Sequence, residues 1–382
     1  MKKIPPFDLS DQYKVIGADI NAAVLEVLAS GRYIGGAWVE EFEQQFASYI
    51  GTSDCIACNS GTDALYLALR ALNIGPGDEV ITTPFTFVAT AEVISAVGAT
   101  PVFVDIDDRT FNLDLDQVEA AITGRTRAIL PVHLFGHPVD MTWLMAIAQS
   151  HHLMVVEDCA QATGAEWAAQ KVGSIGQIGC FSFYPTKNLG ACGDGGAVTT
   201  NDPAIAARIR RLRDHGRQGG YYYEELGVNS RLDAIQAAIL QIKLRHLDTW
   251  NGQRQVIADR YQALLNYVPG VILPPQPQGG KSAWNQYTLK VVNSSQPPSL
   301  QAEAKPLRDT VRSQLQEKGI LSMVYYPLAL HLQPAYRQLG YQPGQLPVAE
   351  QVTQEVLSLP MFPELSPEQQ NQVVYGLKDC LS

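Results

Sequence analysis

The chain has 382 residues, of which 46% are hydrophobic and 17% are charged, so it can bury one large core and a second, smaller domain. Its 28 basic and 38 acidic side chains give a formal net charge of −10, which argues against nucleic acid or an anionic membrane as the main partner. An anionic small substrate would need a local cluster of hydrogen-bond donors to overcome this overall charge.

The sequence shows no targeting segment. Residues 1–13 contain two lysines without an apolar run behind them, which is unlike a secretory signal peptide. No stretch approaches the roughly 18 consecutive apolar residues that a membrane helix needs. We therefore expect a cytoplasmic protein that does not contact a membrane.

Residues 55–158 alternate β-branched runs with helical patterns, which predicts βαβ units around a buried, mostly parallel sheet. The predicted strands are 55–60, 78–84, 100–106, 127–135 and 153–158, and the predicted helices are 62–73, 87–98, 115–122 and 140–152. Two more short strands are predicted at 181–185 and 196–200. The pattern is typical of the α/β fold class.

A long helix is predicted to begin at Leu232 and to carry the chain out of the first domain near residue 250. Its apolar stripe consists of Leu232, Ile235, Ile239, Ile242, Leu247 and Trp250. The proline- and glycine-rich segment 268–282 predicts a linker-like loop, and the pattern beyond it predicts a small α/β domain. We therefore expect a large domain over residues 1–250, with an N-terminal arm, and a small domain over residues 251–382.

The six cysteines include one CxxC pair, Cys55 and Cys58, which is the spacing of some zinc and redox sites. No second CxxC follows, and a strand points residues three apart to opposite faces. We therefore interpret the pair as small buried apolar residues, and we expect neither a metal site nor a disulfide.

The motif NSGTDAL, residues 59–65, lies between a predicted strand and a predicted helix. A helix N-terminus presents free backbone N–H groups and the positive end of the helix dipole, which together can bind a phosphate. Ser, Thr and Asp are also ordinary capping residues, so a plain helix cap is the alternative interpretation.

The motif VVEDCAQA, residues 155–162, ends a predicted strand with Asp158 and has Gln161 three residues later. Ligands of open parallel sheets bind beyond the carboxyl ends of the strands, where a carboxylate can hold a protonated ring nitrogen or a metal. A loop aspartate that caps the next turn is the alternative. A metal is disfavoured because no further carboxylate or histidine follows at ligand spacing.

Lys187 lies in CFSFYPTKNLGACGDGGAV, residues 180–198, between aromatic residues and glycines. Apolar surroundings lower the pKa of a lysine from its usual value of about 10.4, and the neutral amine can then form a Schiff base with an aldehyde. Ser182 could add a hydroxyl for a phosphate. The alternative is a surface lysine whose stem covers apolar neighbours.

The motif TTPFTFVAT, residues 82–90, places an aromatic residue after a strand end, where it could stack on a flat ring or belong to the core. The four motifs together supply a phosphate cup, an acid, an amine and an aromatic face. Pyridoxal phosphate needs these four features in its site. The sequence therefore favours an α/β enzyme that uses this cofactor.

With these motifs the chain resembles the DegT/StrS-type nucleotide-sugar aminotransferases, which have the aspartate aminotransferase fold. The matching segments, in order, are SGTDAL, GPGDEVI, TFVAT, PVFVDID, VEDCAQA, FSFYPTKNLG, GDGGAV and NSRLDAIQAA. The resemblance covers nearly the whole chain. It implies PLP fold type I, with a mostly parallel sheet flanked by helices and a small C-terminal α/β domain.

The resemblance also implies a role for each matched residue. Lys187 would form the Schiff base with pyridoxal phosphate and move the proton between carbon atoms, while Asp158 would bind the pyridinium nitrogen. Gln161 would contact the phenolic oxygen, and Phe87 would stack on the ring. The phosphate would be contacted by Gly61, Thr62, Asp63 and Ser182, the first three largely through their backbone N–H groups.

The remaining implied residues concern the partner subunit and the sugar. Asn229 and Arg231 of one subunit would complete the phosphate cup of the neighbouring subunit, which implies a homodimer with shared active sites. Tyr184 and His331 resemble residues that line the sugar pocket.

Two positions depart from the family pattern. Cys192 stands where a larger aromatic or aliphatic residue is expected, and Asn285 stands where relatives often have histidine. Some family members are sugar dehydratases with histidine in place of the lysine, an alternative that Lys187 disfavours. A non-catalytic regulator is a further alternative.

The segments FSFYPTKNLG, GDGGAV and NSRLDAIQAA resemble members that aminate C3 of nucleotide-linked 3-keto sugars. The segments HLQPAYRQLGY and EVLSLPMFPELS resemble enzymes of dTDP-3-keto-6-deoxyhexoses more than those of UDP-linked uronic acids. We therefore expect transfer of an amino group from an amino acid, L-glutamate, to C3 of such a dTDP-linked sugar. A UDP-linked 3-keto uronic acid and a 4-keto sugar are the alternatives.

Overall fold

The computed structural model describes residues 3–292 and 306–382, and helices alternate with strands over much of this length. The helices are α1 (Ser10–Ser30), α2 (Ala37–Ile50), α3 (Gly61–Ala71), α4 (Ala89–Ala96), α5 (Leu115–Val118), α6 (Met141–Ser150), α7 (Pro203–Leu212), α8 (Ala234–Leu244), α9 (Leu247–Leu265), α10 (Leu307–Glu317), α11 (Pro347–Glu355) and α12 (Pro367–Leu381). The strands are β1 (Asp54–Cys58), β2 (Glu79–Thr82), β3 (Thr100–Phe103), β4 (Thr126–Leu130), β5 (Met154–Asp158), β6 (Glu166–Trp167), β7 (Gln170–Lys171), β8 (Ile178–Ser182), β9 (Gly196–Thr200), β10 (Arg217–Gly219), β11 (Tyr222–Tyr223), β12 (Val271–Ile272), β13 (Gly280–Lys281), β14 (Tyr287–Val291) and β15 (Val356–Leu359).

Seven strands form the central sheet in the order β1-β9-β8-β5-β4-β2-β3. β9 runs antiparallel to both of its neighbours, β1 and β8, and the other pairs in this sheet are parallel. The prediction of a mostly parallel α/β sheet is therefore confirmed. Because β9 is the single reversed strand, the carboxyl ends of the other six lie at one edge of the sheet.

The CxxC pair lies in β1, and its two cysteines belong to different cores. Cys58 packs in the cluster under α3, whereas Cys55 packs in the cluster under α2 on the opposite face. Both thiols are buried and free. Burial raises the pKa of Cys58 to about 12, so this thiol behaves as a small apolar group.

Helices α1 and α2 are missing from the prediction based on sequence. α1 packs on α8 through Ile16 and Ile20, but Val15 and Leu25 of the same helix are 77% and 65% exposed. Its apolar residues therefore do not follow one stripe, which is the signal that predicts an amphipathic helix.

The single long helix predicted from Leu232 is wrong, because the chain forms α8 and α9 instead. At the junction the N–H groups of Arg245 and His246 donate to carbonyls three residues earlier, which tightens the backbone and ends α8. The apolar stripe continues across the break because Ile242 and Trp250 pack in one cluster. No glycine or proline marks the junction, so no residue type signals it.

A second core forms around β14 and β15 with the later part of α9, α10 and α12. Tyr261 and Tyr287 are among its largest buried side chains, with ring centroids 4.9 Å apart. The N-terminal arm, residues 3–9, packs on this core: Ile4 pairs with Ile320, and the Met361 N–H donates to Pro6 at 3.1 Å. The division into domains 1–250 and 251–382 stays a prediction.

Within the two described ranges, no helix combines the length and the apolar character needed to cross a membrane. The longest, α1, carries four charged side chains among its 21 residues.

Candidate active site

A cavity of about 610 Å³ opens where the carboxyl ends of β1, β2, β4, β5 and β8 meet. Small-molecule sites typically occupy about 300–1,000 Å³. Of the predicted site residues, the cavity wall contains Gly61, Thr62, Phe87, Asp158, Gln161, Ser182, Tyr184 and Lys187. The fold thus gathers residues from four motifs that are separate in the sequence.

Helix α3 begins at this cavity. Ser60 caps the helix, because its Oγ accepts a hydrogen bond from the Asp63 amide at 3.1 Å and its carbonyl accepts one from Ala64. The N–H groups of Gly61 and Thr62 have no hydrogen-bond partner among the described residues, so they can bind an anion together with the helix dipole. The Asp63 amide, predicted as a phosphate contact, is used by the cap instead.

The close approach of α3 to β8 requires a glycine at position 61. A Cβ atom there would lie 2.6 Å from the Cβ of Ser182, which is too close for two carbon atoms in contact. Ser182 ends β8 and lines the cavity beside the two free amides. The start of α3 and the end of β8, which are in direct contact, therefore form the phosphate cup.

Asp158 ends β5, and its side chain is buried at the cavity. Oδ1 accepts a hydrogen bond from the Ala160 amide at 3.1 Å, and Oδ2 accepts one from the Thr90 hydroxyl at 2.9 Å. Burial raises the pKa of Asp158, and these bonds and the nearby charge of Lys187 oppose the rise. A protonated ring nitrogen would be a suitable partner for such a carboxylate.

Lys187 follows β8 in an irregular segment and reaches the same cavity. Its backbone N–H donates to the carbonyl of Tyr184 at 2.9 Å. Burial lowers the pKa of its ammonium group from 10.5 to about 8, against the attraction of Asp158. About a tenth of such amines are uncharged at pH 7, so Lys187 can act as a nucleophile and can carry a proton.

Phe87 is 56% exposed in the cavity wall, whereas Phe85, two residues earlier, is fully buried. Of the two aromatic residues in this motif, Phe85 therefore belongs to the core, and Phe87 offers a free ring face to the cavity. Gln161 accepts a hydrogen bond from the Phe135 amide at 2.7 Å and donates one to the Tyr326 hydroxyl at 3.0 Å. The side-chain amide of Gln161 keeps a second N–H for a ligand oxygen.

The two residues predicted for the sugar pocket lie in different places. Tyr184 is exposed in the cavity wall, and its contact with the sugar stays a prediction. His331 is not part of that wall: it is buried, its Nε2 lies 3.2 Å from Glu350 Oε1, and its ring packs beside Tyr341. A short 3₁₀ turn directs the imidazole into this cluster, so a direct sugar contact from His331 is not supported.

Segment 229–231 also lies outside the cavity wall of its own chain. Asn229 is exposed, and the Arg231 guanidinium pairs with Asp214 at 2.9 Å. Between them, the Ser230 hydroxyl donates to the Asn59 side chain at 3.1 Å. The segment is thus fixed at the surface, where it is accessible to a second copy.

Sequence reasoning missed several wall residues, namely Phe7, Gln286, Met323, Tyr325 and Tyr326. They come from both ends of the chain, and no local pattern links them to the motifs. Thr90 was detectable, because it lies one turn after Phe87 in the same motif. Its hydroxyl donates to Asp158 and therefore accepts from the Thr86 hydroxyl, 3.1 Å away.

His133, Glu157 and Cys159 form a compact buried group whose ligand atoms lie within 4.8 Å of one another. The Glu157 carboxylate accepts hydrogen bonds from His133 and from three amides of loop 173–176. The Val139 amide donates to His133 Nδ1, so Nε2 carries the proton. The His133 and Glu157 side chains are thus engaged in hydrogen bonds within the protein, and we interpret the group as a structural network.

The sequence model of the DegT/DnrJ/EryC1/StrS aminotransferase family matches residues 14–378. The chain belongs to this family. The family predicted from the motifs is thereby confirmed, and so is the prediction of an aminotransferase.

Several relatives of this aminotransferase match over almost its whole length. A dTDP-3-amino-3,4,6-trideoxy-alpha-D-glucose transaminase of Streptomyces venezuelae is 44% identical, with 99% of this chain and 96% of the relative covered. A UDP-N-acetyl-3-dehydro-alpha-D-glucosamine 3-aminotransferase of Acidithiobacillus ferrooxidans is 45% identical, with 96% and 95% covered. A Geobacillus stearothermophilus protein named pleiotropic regulatory protein is 48% identical, with 97% and 96% covered.

Solved structures of the family share the fold. S. venezuelae DesV in complex with a ketimine intermediate has a TM-score of 0.94 at 44% identity, with 100% of this chain and 99% of that chain covered. Bacillus subtilis NtdA with bound cofactor PMP has a TM-score of 0.86 at 33% identity, with 95% and 81% covered. The predicted PLP fold type I is confirmed.

The cofactor of this DegT-family aminotransferase is pyridoxal phosphate. The cavity fits it, because two free amides at a helix N-terminus suit a phosphate and the buried carboxylate suits a ring nitrogen. The lysine of lowered pKa suits an aldehyde, and an exposed aromatic ring suits a flat cofactor.

Proposed function

We propose that this aminotransferase moves an amino group from L-glutamate to C3 of a dTDP-linked 3-keto-6-deoxyhexose in amino-sugar biosynthesis. One observation carries the proposal: a single cavity combines Lys187, the buried Asp158, the exposed face of Phe87 and the free amides at the start of α3. The relatives named for 3-amino sugars support the sugar class and the position of the amino group.

Each residue at the cofactor has a distinct task in this proposal. Pyridoxal phosphate, when bound, supplies an electron sink for negative charge at the substrate carbon. The Gly61 and Thr62 amides would hold the phosphate, Asp158 would keep a proton on the pyridine nitrogen, and Phe87 would cover one ring face. The free N–H of Gln161 would contact the phenolic oxygen.

Lys187 moves the proton. With a pKa of about 8, Nζ can accept a proton as a neutral amine and donate it as an ammonium group near neutral pH. In the proposed reaction Nζ would take the proton from the substrate carbon that bears the amino nitrogen and would return it to the carbon on the other side of that nitrogen.

The nucleotide and the sugar are the finer part of the proposal. The two transaminase relatives are both named for position 3 but differ in nucleotide, one being dTDP-linked and one UDP-linked. Their agreement supports C3. The motifs HLQPAYRQLGY and EVLSLPMFPELS favour the dTDP-linked deoxy sugar, with a UDP-linked 3-keto sugar as the second candidate.

The half-reaction tests the activity without the sugar. Adding L-glutamate to the holoenzyme should convert the visible absorbance of the lysine-bound cofactor to that of its amine form, and Lys187→Ala should lack the lysine-bound band. No spectral change with any amino donor would overturn the aminotransferase mechanism. A regulator without turnover would give that result.

Parallel assays with dTDP-linked 3-keto, UDP-linked 3-keto and dTDP-linked 4-keto sugars test the substrate. We expect the highest kcat/KM for the dTDP-linked 3-keto-6-deoxyhexose. Turnover of the 4-keto sugar alone would overturn the assignment of C3, and a clear preference for the UDP sugar would overturn the nucleotide.

We also propose a homodimer in which the sites are shared. Among the described residues that line the cavity, Lys187 is the one cationic side chain, although the phosphate of the cofactor and the diphosphate of the sugar are both anionic. Arg231 and the exposed Asn229 of a second copy would supply the missing donors. The exposed apolar side chains of α1, including Val15 and Leu25, offer a surface for this copy. Sedimentation should show a dimer.

A further inference from the structure

Asn188, the residue after Lys187, makes an unusual number of side-chain hydrogen bonds for one amide. Its Oδ1 accepts a bond from Asn285 Nδ2 at 2.8 Å. Its Nδ2 donates to Asn251 Oδ1 at 2.7 Å and to the carbonyl of Ala283 at 2.6 Å. Asn188 is 4% exposed, so these bonds are shielded from water.

The partners of Asn188 lie on elements that are rigidly connected. Asn251 is on α9, and its Nδ2 also donates to the carbonyl of Thr163, in the loop that follows Asp158 and Gln161. The next residue, Gly164, has a φ of +91°, and a Cβ atom there would lie 2.5 Å from Asn251 Nδ2. This loop therefore fits closely against α9.

Helix α9 also holds the segment that contains Asn285. One turn after Asn251, the buried Arg254 donates from Nη1 to the carbonyls of Trp284 and Asn285, both at 3.2 Å. Helix α9 thus fixes both asparagine partners of Asn188: Asn251 is part of the helix, and Asn285 is held by Arg254.

We propose that Asn188, Asn251 and Asn285 form an asparagine clamp that positions Lys187 for proton transfer. Lys187 lies in a segment without helix or strand, and its own N–H makes one backbone bond, to Tyr184. Lys187 lines the cavity whereas Asn188 does not, so the clamp holds the segment from behind. The side chain of Lys187 can then move while its Cα stays in place. This inference rests on the proposed role of Lys187.

The clamp explains why asparagine can stand at position 285. A histidine ring at that position can donate one N–H to Asn188 Oδ1, as the asparagine amide does. Alanine cannot, and would leave the buried Oδ1 of Asn188 without its donor. We therefore expect Asn285→His to preserve the clamp and Asn285→Ala to loosen it.

The test measures the pKa of Lys187 in the full-length protein after release of the cofactor. Acylation of Lys187 is followed by mass spectrometry as a function of pH, because only the neutral amine reacts. In Asn188→Ala and Asn285→Ala we expect the pKa to rise from about 8 toward 10.5, by about half a unit or more, because the loosened amine reaches water. In the holoenzyme kcat should fall about tenfold or more, with little change in KM.

Gln370→Ala is the matched control. Gln370 is 2% exposed on α12, and its Nε2 donates to the carbonyl of Ile257 in the second core. This variant loses a buried hydrogen bond from a side-chain amide to a backbone carbonyl, as Asn188→Ala does. Tm should therefore fall, while the pKa of Lys187 and kcat stay at the wild-type values.

Several outcomes would overturn the clamp. If Asn188→Ala and Asn285→Ala lower Tm as Gln370→Ala does but leave the pKa of Lys187 and kcat unchanged, the three asparagines only stabilise the fold. If Asn188→Ala does not fold, the comparison of Asn285→Ala with Asn285→His tests the clamp instead. Equal pKa values of Lys187 in these two variants would refute it. Failure of the proposed function is recognised separately, by a lysine-bound absorbance that survives Lys187→Ala.

Discussion

The hydrogen bond from Thr90 to Asp158 allows a test of how this enzyme keeps a buried carboxylate ionised. Thr90→Val preserves the shape of the side chain and removes the hydroxyl, whose oxygen lies 2.9 Å from Oδ2. A hydrogen bond to a charged group is worth about 1.5–3 kcal/mol. At about 1.4 kcal/mol per pKa unit, its loss should raise the pKa of Asp158 by about one to two units.

Burial already raises the pKa of Asp158, and Thr90→Val should raise this pKa further. Asp158 must be ionised to keep a proton on the cofactor ring. The acidic limb of the pH profile of kcat/KM should therefore move upward by about one to two pH units. At acidic pH the Kd for pyridoxal phosphate, measured by fluorescence titration, should rise, because a protonated Asp158 no longer attracts the proton on the ring.

Thr86→Val is the matched control, because it removes a hydroxyl that contacts Thr90 and leaves the bond to Asp158 in place. Its acidic limb should shift less than that of Thr90→Val. An acidic limb and a Kd that are the same in Thr90→Val and the wild type would refute the reasoning, since the hydroxyl would then contribute nothing to the charge of Asp158.

Three further predictions concern the cup, the carboxylate and the assembly. Gly61→Ala inserts a Cβ atom 2.6 Å from that of Ser182, so α3 must shift and cofactor affinity should fall about tenfold in an equilibrium titration; an unchanged affinity would contradict the close approach. Asp158→Asn should abolish transfer yet raise Tm of the cofactor-free protein at pH 8, because an acid whose folded pKa is raised costs stability above its unfolded pKa. A lower Tm would argue against that cost. Lys187→Ala and Arg231→Ala, each inactive alone, should regain up to about a quarter of wild-type activity when refolded together, and mixed dimers without activity would exclude shared sites.

The parts of the site that the sequence predicted are those whose chemistry is contained in one short motif. Asp158 ends a strand, and Lys187 and the start of α3 each follow one. Parallel strands bring their carboxyl ends together, so these residues meet once the sheet is known. Tyr326 and Met323 could not be found in this way. They belong to a segment whose position over the cavity depends on packing between distant parts of the chain.

Two differences between prediction and structure have physical causes that no local pattern reports. The resemblance implies that His331 lines the sugar pocket, but its imidazole is buried and lies beside Glu350, outside the cavity wall. The break between α8 and α9 interrupts neither the apolar stripe nor the helix-forming residues, so periodicity alone predicts one helix. In both cases the local sequence is compatible with either arrangement, and the packing of the whole chain determines which one forms.

The N-terminal arm sets an order for completing the protein during synthesis. All seven strands of the central sheet lie before residue 201, and one face of the sheet then packs on α8. Ile4 and Pro6 are synthesised before Ile320 and Met361 and cannot make these contacts until those residues follow. Contacts between such distant positions form slowly. We therefore expect the part of the cavity wall that Phe7 contributes to form late, after the strands of the central sheet have been synthesised.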